Sequence, residues 1–435
     1  MFMKIKDMDF TAVGDMLIQR RIPKQYQGLD ELCAFIQKGD LRYFNLETTI
    51  NRGELWGNQY SGGSWLRADE KVLEDAKRIG FNMLSFANNH TLDFSHWGLL
   101  KTIEALEAHD IPHAGAGRNL AEAAAPAYLD TGKGRFALVS ACASFEPSAM
   151  AGAQSRRYIG RPGLNGLRHE ETYVVTRQQM ETLREIVQAT HMNARDDIKR
   201  NEGYLPPLRE GTLKLKTLSF VEGSAPERKS TVHPVDMVRV EKAIYEAEFQ
   251  SDFIVVSIHS HELSGMQKEN PDTFLVEFAH RCIDAGADAV VGTGPHILRP
   301  IEIYRGCPIF YSLGDFVLQN ENIPYGPEEF YEDYGLNSDS TMRELFQKRS
   351  NNFTRGLQTD RRAFESVVPL CSYRGGELKH LLLLPIELGF GGPRSTSGLP
   401  RPMLGADFIE RLSSMSSPYG TNIVMRDDGI AEVVL

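Results

Sequence analysis

The sequence lacks the features that hold together small secreted domains and membrane proteins. Its 435 residues include only five cysteines, an odd number without a Cys-x-x-Cys pair, which fits neither a disulfide framework nor a thiolate zinc site. No uninterrupted apolar run reaches the roughly 18 residues of a membrane span, and residues 1–15 have no apolar core of signal-peptide length. Acidic residues (58) outnumber basic ones (48), which argues against unspecific nucleic-acid binding. We therefore expect a cytoplasmic protein with no membrane anchor and no nucleic-acid partner.

Short apolar runs alternate with amphipathic segments along much of the chain. Runs with the length of buried strands end in small or polar residues at 8–13, 41–44, 81–86, 253–258 and 289–291. Helical spacing lies between them at 70–79, 98–108 and 274–285. Three later segments have the pattern of β-hairpins, at 301–311, 366–388 and 422–435. The alternation predicts an α/β fold with a mixed sheet, and leaves open whether two sheets are stacked.

Two polar stretches interrupt this pattern. Residues from about 150 to 235 are rich in Arg, Glu and Gly, whereas residues 319–362 carry an acidic, Tyr-rich half followed by a basic half. Neither stretch has the apolar content for a core of its own. We therefore predict one domain over residues 1–435, with both stretches as insertions and a C-terminal β-hairpin as an extension. The Tyr-rich segment 325–334 is either a surface loop or a cover for a pocket.

Reactive side chains follow the predicted strands. Ligands of α/β sheets bind beyond the carboxyl ends of the strands, and five such ends carry Asp15, Glu47, Asn89 with His90, His259 with His261, and His296. Carboxylates, an amide and imidazoles are donors that divalent transition ions prefer. The same groups can transfer protons without a metal.

The spacing also allows two pairs of histidine and carboxylate. Asp93 follows His90 by three residues, so one helical turn would join them and fix the imidazole tautomer. Asp93 could instead cap a helix that starts after Thr91. Asp15 could serve His296 in the same way if their strands are adjacent. Two such pairs facing one cavity would suit two-base proton exchange at a carbon acid.

Several short motifs resemble the bacterial capsule-synthesis proteins, the CapA-type family associated with poly-γ-glutamate. They are Gly14-Asp15, Asn45-Leu46-Glu47, Ala87-Asn88-Asn89-His90-Thr91-Leu92-Asp93, Gly292-Thr293-Gly294-Pro295-His296 and Tyr311-Ser312-Leu313-Gly314-Asp315-Phe316. The resemblance runs from about residue 8 to 320, without the first insertion. That family is similar in turn to calcineurin-like metallophosphoesterases. The resemblance therefore implies a metallophosphatase sandwich of two mixed β-sheets flanked by helices.

The resemblance also implies roles for individual residues. His90 would be the general acid and Glu47 a bridging ligand, and the further metal ligands would be Asp15, Asn89, His259 and His296. Two departures from the family pattern affect metal binding. Met16-Leu17 replace a histidine of the wider superfamily, and Thr293 stands where many capsule-type members have histidine. A hydroxyl is a poorer ligand than imidazole, although His261 could compensate. Two divalent ions (Mn, Zn or Fe), one ion, or none therefore stay open.

Three functions follow from this reading. The first is metal-assisted hydrolysis of a peptidyl or γ-glutamyl substrate. The second is a metal- and cofactor-independent peptide epimerase that uses His/Asp acid–base pairs. The third is a non-catalytic assembly protein of a capsule or polymer machine. The candidate catalytic residues of the two enzymes are His90, Asp93, Asp15, Glu47 and His296. Neither the substrate nor the oligomeric state follows from the sequence.

Overall fold

The computed structural model describes residues 7–435. Its first strands are β1 (Met8–Leu17), β2 (Leu41–Leu46), β3 (Thr49–Ile50), β4 (Arg67–Ala68), β5 (Met83–Ser85), β6 (His113–Ala114), β7 (Ala116–Gly117) and β8 (Ala127–Thr131). They are followed by β9 (Gly134–Cys142), β10 (Gly163–Leu164), β11 (His169–Val175), β12 (Thr212–Leu215), β13 (Leu218–Glu222), β14 (Glu227–Val232), β15 (Phe253–His259) and β16 (Ala289–Thr293). The last strands are β17 (Ile301–Tyr304), β18 (Cys307–Phe310), β19 (Asp315–Leu318), β20 (Glu365–Arg374), β21 (Glu377–Glu387), β22 (Arg401–Pro402), β23 (Asn422–Met425) and β24 (Ala431–Val434).

The α-helices lie between these strands. They are α1 (Asp30–Ile36), α2 (Val72–Ile79), α3 (Ser95–Ala108), α4 (Leu120–Ala124), α5 (Arg177–Thr190), α6 (Ala194–Asn201), α7 (Pro234–Gln250), α8 (Thr273–Asp284), α9 (Glu328–Glu332), α10 (Met342–Arg349) and α11 (Phe408–Ser416). Within residues 7–435, no helix is both long enough and apolar enough to cross a bilayer.

Two mixed β-sheets form the centre of the molecule. In the described part of the chain the larger sheet has ten strands, in the order β23-β24-β21-β20-β1-β2-β5-β6, with β19 beside β1 and β22 beside β21. The smaller sheet has six strands, in the order β17-β18-β16-β15-β9-β8. Strand β1 runs parallel to β2 and β19 but antiparallel to β20. The predicted hairpins are β17–β18, β20–β21 and β23–β24.

The alternation of side chains between the two faces of each strand divides the core into layers. In β9, Phe136 and Leu138 face the larger sheet, whereas Ala137 and Val139 face α7 and α8, as expected for side chains that alternate between the faces of a strand. Helices α1, α2 and α3 cover the opposite face of the larger sheet. The prediction of two mixed sheets flanked by helices is therefore confirmed.

The two predicted insertions are built differently. Strands β11–β14 form a separate four-stranded sheet, next to which α5 buries only Met180 and α6 buries no side chain. The second insertion adds Phe330, Tyr331, Leu345 and Phe346 to the cluster that covers the larger sheet. The second insertion is thus part of the main core.

A buried aspartate connects the first insertion to the core. Asp236 of α7 accepts hydrogen bonds from Nε of Arg168 and Nη1 of Arg239, both at 2.7 Å. Burial alone would raise the pKa of Asp236, but the two guanidinium groups lower it to about 2, from an ordinary value of 3.8. Because the folded-state pKa is the lower one, this contribution to stability is complete above the ordinary value and is lost as the pH falls towards 2.

We expect Asp236→Asn to lower the free energy of unfolding at pH 7 by about 3 kcal/mol, because it leaves two cations without their shared partner. Asp130→Asn removes an exposed pair with Arg135 and should leave stability nearly unchanged. Urea unfolding at several pH values checks both variants, and the gap between wild type and Asp236→Asn should close as the pH approaches 2. Equal effects of the two substitutions would contradict this account.

Candidate active site

The predicted site residues meet where the two sheets open at one edge. Glu47 follows β2, His259 ends β15, and His296 lies three residues after β16. Strands β2 and β16 run parallel to neighbours in their own sheets, so these ends lie where ligands of α/β sheets bind.

Asp15 reaches this edge in a way that the sequence does not predict. The first strand was expected to stop at Gly14-Asp15, but β1 continues to Leu17. A β-bulge between Ala12 and Asp15 shifts the register against β2 by one residue. Without the extra residue, Asp15 would point to the helix-covered face, because a shift of one residue exchanges the faces of a strand.

Gly14 allows β1 to pass very close to the loop before β19. A Cβ atom on Gly14 would lie 1.8 Å from the carbonyl oxygen of Gly314. The backbone N–H of Asp15 donates to the same oxygen at 3.0 Å. Any larger side chain at position 14 would therefore displace Asp15.

The carboxylate of Asp15 is fully buried and well provided with donors. It accepts hydrogen bonds from Nδ2 of Asn45 and from the backbone N–H of Gly294, both at 2.7 Å. Nδ1 of His259 lies 3.6 Å from its Oδ1. Burial alone would raise the pKa of Asp15, but His259, His296 and Asn45 lower it below its usual value. Asp15 is therefore an anion at neutral pH.

Glu47 lies between two imidazoles and has no hydrogen-bond partner. Both of its carboxylate oxygens are buried and unpaired. Its Oε1 lies 3.8 Å from Nε2 of His90 and 3.7 Å from Nε2 of His259. Burial raises the pKa of Glu47 well above its usual value, and the nearby carboxylates of Asp15 and Asp315 raise it further. Such a group either binds a proton or is neutralised by a cation.

His90 and Asp93 form a close pair, with Nδ1 and Oδ2 2.6 Å apart. Asp93 also accepts from the backbone N–H groups of Gly62 and Leu66. Burial raises the pKa of Asp93, and these three hydrogen bonds counter part of the rise. The alternative that Asp93 caps a helix is wrong, because α3 begins at Ser95 and no side chain caps it. With Nδ1 bound to Asp93, Nε2 of His90 faces the site.

His296 has a different carboxylate partner from the one that the sequence suggests. Its Nδ1 lies 2.8 Å from Oδ1 of Asp315, whereas the sequence allowed Asp15 as the partner if the two strands were adjacent. Burial alone would lower the pKa of His296, but Asp315 and then Asp15 raise it above its usual value. The backbone of His296 has a φ of 56°, a left-handed conformation that is rare outside glycine and concentrates at functional sites.

Sequence reasoning missed Asp315 because it begins β19 rather than following a strand. It lies within the Tyr311–Phe316 motif, and its strand pairs with β1 so that Asp315 stands opposite Asp15. One oxygen of Asp315 is buried without a hydrogen-bond partner. The Tyr311–Phe316 motif could have identified Asp315, because Asp315 has the one carboxyl side chain in that motif.

His261 joins the site although β15 ends two residues before it. Its Nε2 lies 3.2 Å from Nε2 of His259, and its backbone N–H donates to Ser144. Nδ1 of His259 lies 3.0 Å from the hydroxyl of Thr293, so Thr293 occupies the space beside this ring. Burial lowers the pKa of His261 well below its usual value, and the neighbouring imidazoles lower it further. His261 is therefore neutral at pH 7, as a ligand must be.

The donor set fits a divalent cation. Ligand atoms of Asp15, Glu47, His296 and Asp315 lie within 4.8 Å of one another, and so do those of Glu47, His261 and His296. A cation there would satisfy the unpaired oxygens of Glu47 and Asp315. Of the other predicted ligands, Asn89 has a buried and unpaired Oδ1, whereas His259 lies beside these two groups. The roles of all these residues as ligands stay predictions.

A cavity of about 250 Å³ opens onto the histidines. We call it the inner cavity; its lining includes His90, His261 and His296, together with Gly62 and Arg349. A Cβ atom on Gly62 would lie 2.7 Å from Nε2 of His90. The absence of a side chain at position 62 therefore leaves this nitrogen accessible.

Sequence comparisons identify related proteins that align with most of the chain. A model of the family described as "Bacterial capsule synthesis protein PGA_cap" matches residues 9–320. The uncharacterized protein y4sH of Sinorhizobium fredii is 32% identical over 432 residues, which cover 96% of this chain and 91% of that protein. A probable polyglutamine synthesis accessory protein of Mycobacterium tuberculosis is 28% identical over 91% of this chain and 77% of its own length. The PGA biosynthesis protein CapA of Bacillus subtilis is 23% identical over 71% of this chain and 62% of its own length.

We expect Glu47→Gln to raise the free energy of unfolding of protein kept in chelator by about 1–2 kcal/mol, because it removes the cost of burying, without a partner, a carboxyl group that is ionised in the unfolded chain. Glu302→Gln is the matched control. Glu302 is equally a buried glutamate, but it accepts hydrogen bonds from Tyr311 and His280, so its replacement should destabilise the protein. Thermal unfolding of both variants tests the contrast, and destabilisation by Glu47→Gln would show that its carboxylate has a stabilising partner.

Proposed function

Since the chain belongs to the family of bacterial capsule synthesis proteins, whose fold is that of calcineurin-like metallophosphoesterases, we propose that it is a metal-assisted hydrolase of a peptidyl or γ-glutamyl substrate. The main support is the buried, unpaired carboxylate of Glu47 amid ligand atoms that can surround one cation. The names of the Mycobacterium and Bacillus relatives refer to polyglutamine synthesis and to PGA biosynthesis. These names support a substrate made of linked amino acids.

In this proposal Asp15, Glu47, His261 and His296 hold the ion, with Asp315 and Asn89 beside them. A divalent ion would act as a Lewis acid on the scissile carbonyl or phosphoryl group and would activate water. Asp315 would orient the ring of His296 through Nδ1, in the manner of a carboxylate that supports a histidine ligand.

His90 would protonate the leaving group. Its Nδ1 is engaged by Asp93 at 2.6 Å, so the proton must be transferred from Nε2, which faces the inner cavity. Asp93 would also stabilise the imidazolium form. His90 is absent from both groups of candidate ligand atoms, which leaves it free for this role.

A second candidate function is metal-independent epimerisation at a peptide Cα. It is favoured by the two pairs of histidine and carboxylate, His90–Asp93 and His296–Asp315, whose histidines line the same cavity. One neutral imidazole would remove the Cα proton, and the other, protonated, would return a proton to the opposite face. The raised pKa of His296 suits the protonated partner.

We also propose a cytoplasmic location. Cys33, Cys142, Cys282 and Cys371 are free thiols, and the last three of them are buried. Unpaired thiols are typical of reducing compartments.

Metal analysis separates the ligands from the general acid. For protein purified without chelator, we expect Mn, Zn or Fe bound near stoichiometrically in wild type and in His90→Ala, and a strong loss of metal in His296→Ala. His280→Ala is the control, since His280 pairs with Glu302 away from the site, and should keep its metal. Equal metal content in all four proteins would refute the ligand assignment.

Isotope exchange separates the two reactions. With γ-linked and α-linked glutamate oligomers as probes, a hydrolase should produce shorter chains and be stimulated by added Mn or Zn. An epimerase run in D₂O should add one deuterium at a Cα without cleavage, and should stay active in chelator.

The Thr293→His variant also separates the two reactions. It adds an imidazole beside His259, so it should raise metal affinity and speed hydrolysis, but slow epimerisation. Mass spectrometry of the products measures cleavage and deuterium incorporation, and metal titration measures the affinity.

A further inference from the structure

A second cavity adjoins the inner one and is formed largely by the second insertion. This outer cavity has a volume of about 670 Å³, and most of its lining comes from residues 346–360. Asn320, Arg349 and Leu357 line both cavities. The two cavities therefore meet at these residues, and a chain whose reactive group lies at the histidines would extend towards the outer one.

Arg349 lies at the junction of the two cavities without a negative partner. Its Nη1 donates to the carbonyl oxygen of Gly63 at 3.0 Å and to Oγ of Ser64 at 2.9 Å. Within residues 7–435, its polar contacts are with these neutral groups and not with a carboxylate. These contacts fix one edge of the guanidinium, and its remaining N–H groups keep their capacity to donate.

Lys268 is a second unpaired cation on the outer cavity. It is half-buried, and within the described chain its ammonium group has neither a hydrogen bond nor an ion pair with another residue. Its charge acts on both His296 and Asp315, so it lies near that pair. Asp360, an acidic residue of the same lining, is already paired with Arg362.

The wall of the outer cavity also carries unusual backbone. Asn351, Asn352 and Phe353 have consecutive positive φ values of 50°, 58° and 60°, although residues other than glycine rarely adopt this conformation in succession. Strain of this kind concentrates at ligand-binding sites. It directs the chain so that Phe353, with Phe346 and Leu357, gives the cavity apolar surface.

We propose that the outer cavity is a substrate subsite in which Arg349 and Lys268 bind a carboxylate, while the apolar side chains contact the methylene groups beside it. This subsite rests on the proposed function only for the peptidyl or γ-glutamyl nature of the chain. Arginine suits bidentate carboxylate binding, and lysine adds a point charge. Both a carboxylate at the end of the substrate chain and a side-chain carboxylate along it would bind in this way.

The test is calorimetric titration of γ-linked triglutamate, performed in chelator on the Glu47→Gln background so that neither metal nor turnover contributes. Arg349→Gln and Lys268→Gln should each weaken binding at least about tenfold. Lys348→Gln is the matched control, because it removes the same charge from α10 without lining either cavity, and it should change binding less than about twofold. Thermal unfolding verifies that every variant is folded.

Amidated probes distinguish the two sources of the carboxylate. If blocking the terminal carboxylate alone abolishes binding, the subsite recognises a chain end; if only full amidation does so, it recognises carboxylates along the chain. Absence of binding to the free acid, or equal binding by Arg349→Gln and Lys348→Gln, would overturn the subsite. That failure would leave metal content and turnover, which test the proposed function, unaffected. Conversely, a metal-free and inactive wild type whose Glu47→Gln form binds as expected would refute the hydrolase and keep the subsite.

Discussion

The site depends on one electrostatic constraint, which is the burial of several carboxyl groups around Glu47. Asp15, Asp93 and Asp315 are fully buried beside it, and each raises the cost of ionising Glu47. Isolated buried charges are very unfavourable, so the cluster is stable only with compensation. Asp15 is compensated by hydrogen bonds and imidazoles, and Asp93 and Asp315 by one histidine each. Among the described members of this cluster, Glu47 is the carboxyl group whose two oxygens both lack a hydrogen bond, and a proton or a bound cation would neutralise it.

The arrangement of the two sheets brings this cluster together. Asp15, Glu47 and the His90–Asp93 pair come from the larger sheet and its loops, whereas His259, His261 and His296 come from the smaller one. The sheets pack through a continuous apolar layer that includes Phe10, Tyr43, Leu138 and Val255. Because that layer is closely packed, small shifts between the sheets would be opposed by lost contacts. The geometry of the site is therefore stabilised by the core rather than by the loops alone.

Much of this architecture could be predicted from the sequence, because apolar runs of strand length and their polar ends are local signals. The strand ends at Glu47, His259 and His296 follow from such runs, and the pairing of His90 with Asp93 follows from their spacing. The bulge before Asp15 could not be predicted, because it depends on the register against β2. The partnership of His296 with Asp315 could not be predicted either, since it depends on which strand lies beside β1. Both misses concern pairing between segments distant in the chain, about which hydrophobic periodicity carries no information.

The second insertion is connected to the His90–Asp93 pair through a single loop. The rings of Trp65 and Phe330 pack in a tilted arrangement with their centroids 5.2 Å apart, and Arg349 donates to Gly63 and Ser64. The loop that contains residues 62–66 is therefore fixed from one side by the insertion. The same loop donates from Gly62 and Leu66 to Asp93 on its other side, and Asp93 orients His90. The Tyr-rich segment 325–334 is thus not a free surface loop, because its Phe330 and Tyr331 are buried in the core. Hydrogen bonds and the backbone of this loop thus join Arg349 to His90. The wall of the outer cavity and the residues that orient His90 are therefore parts of one structural unit.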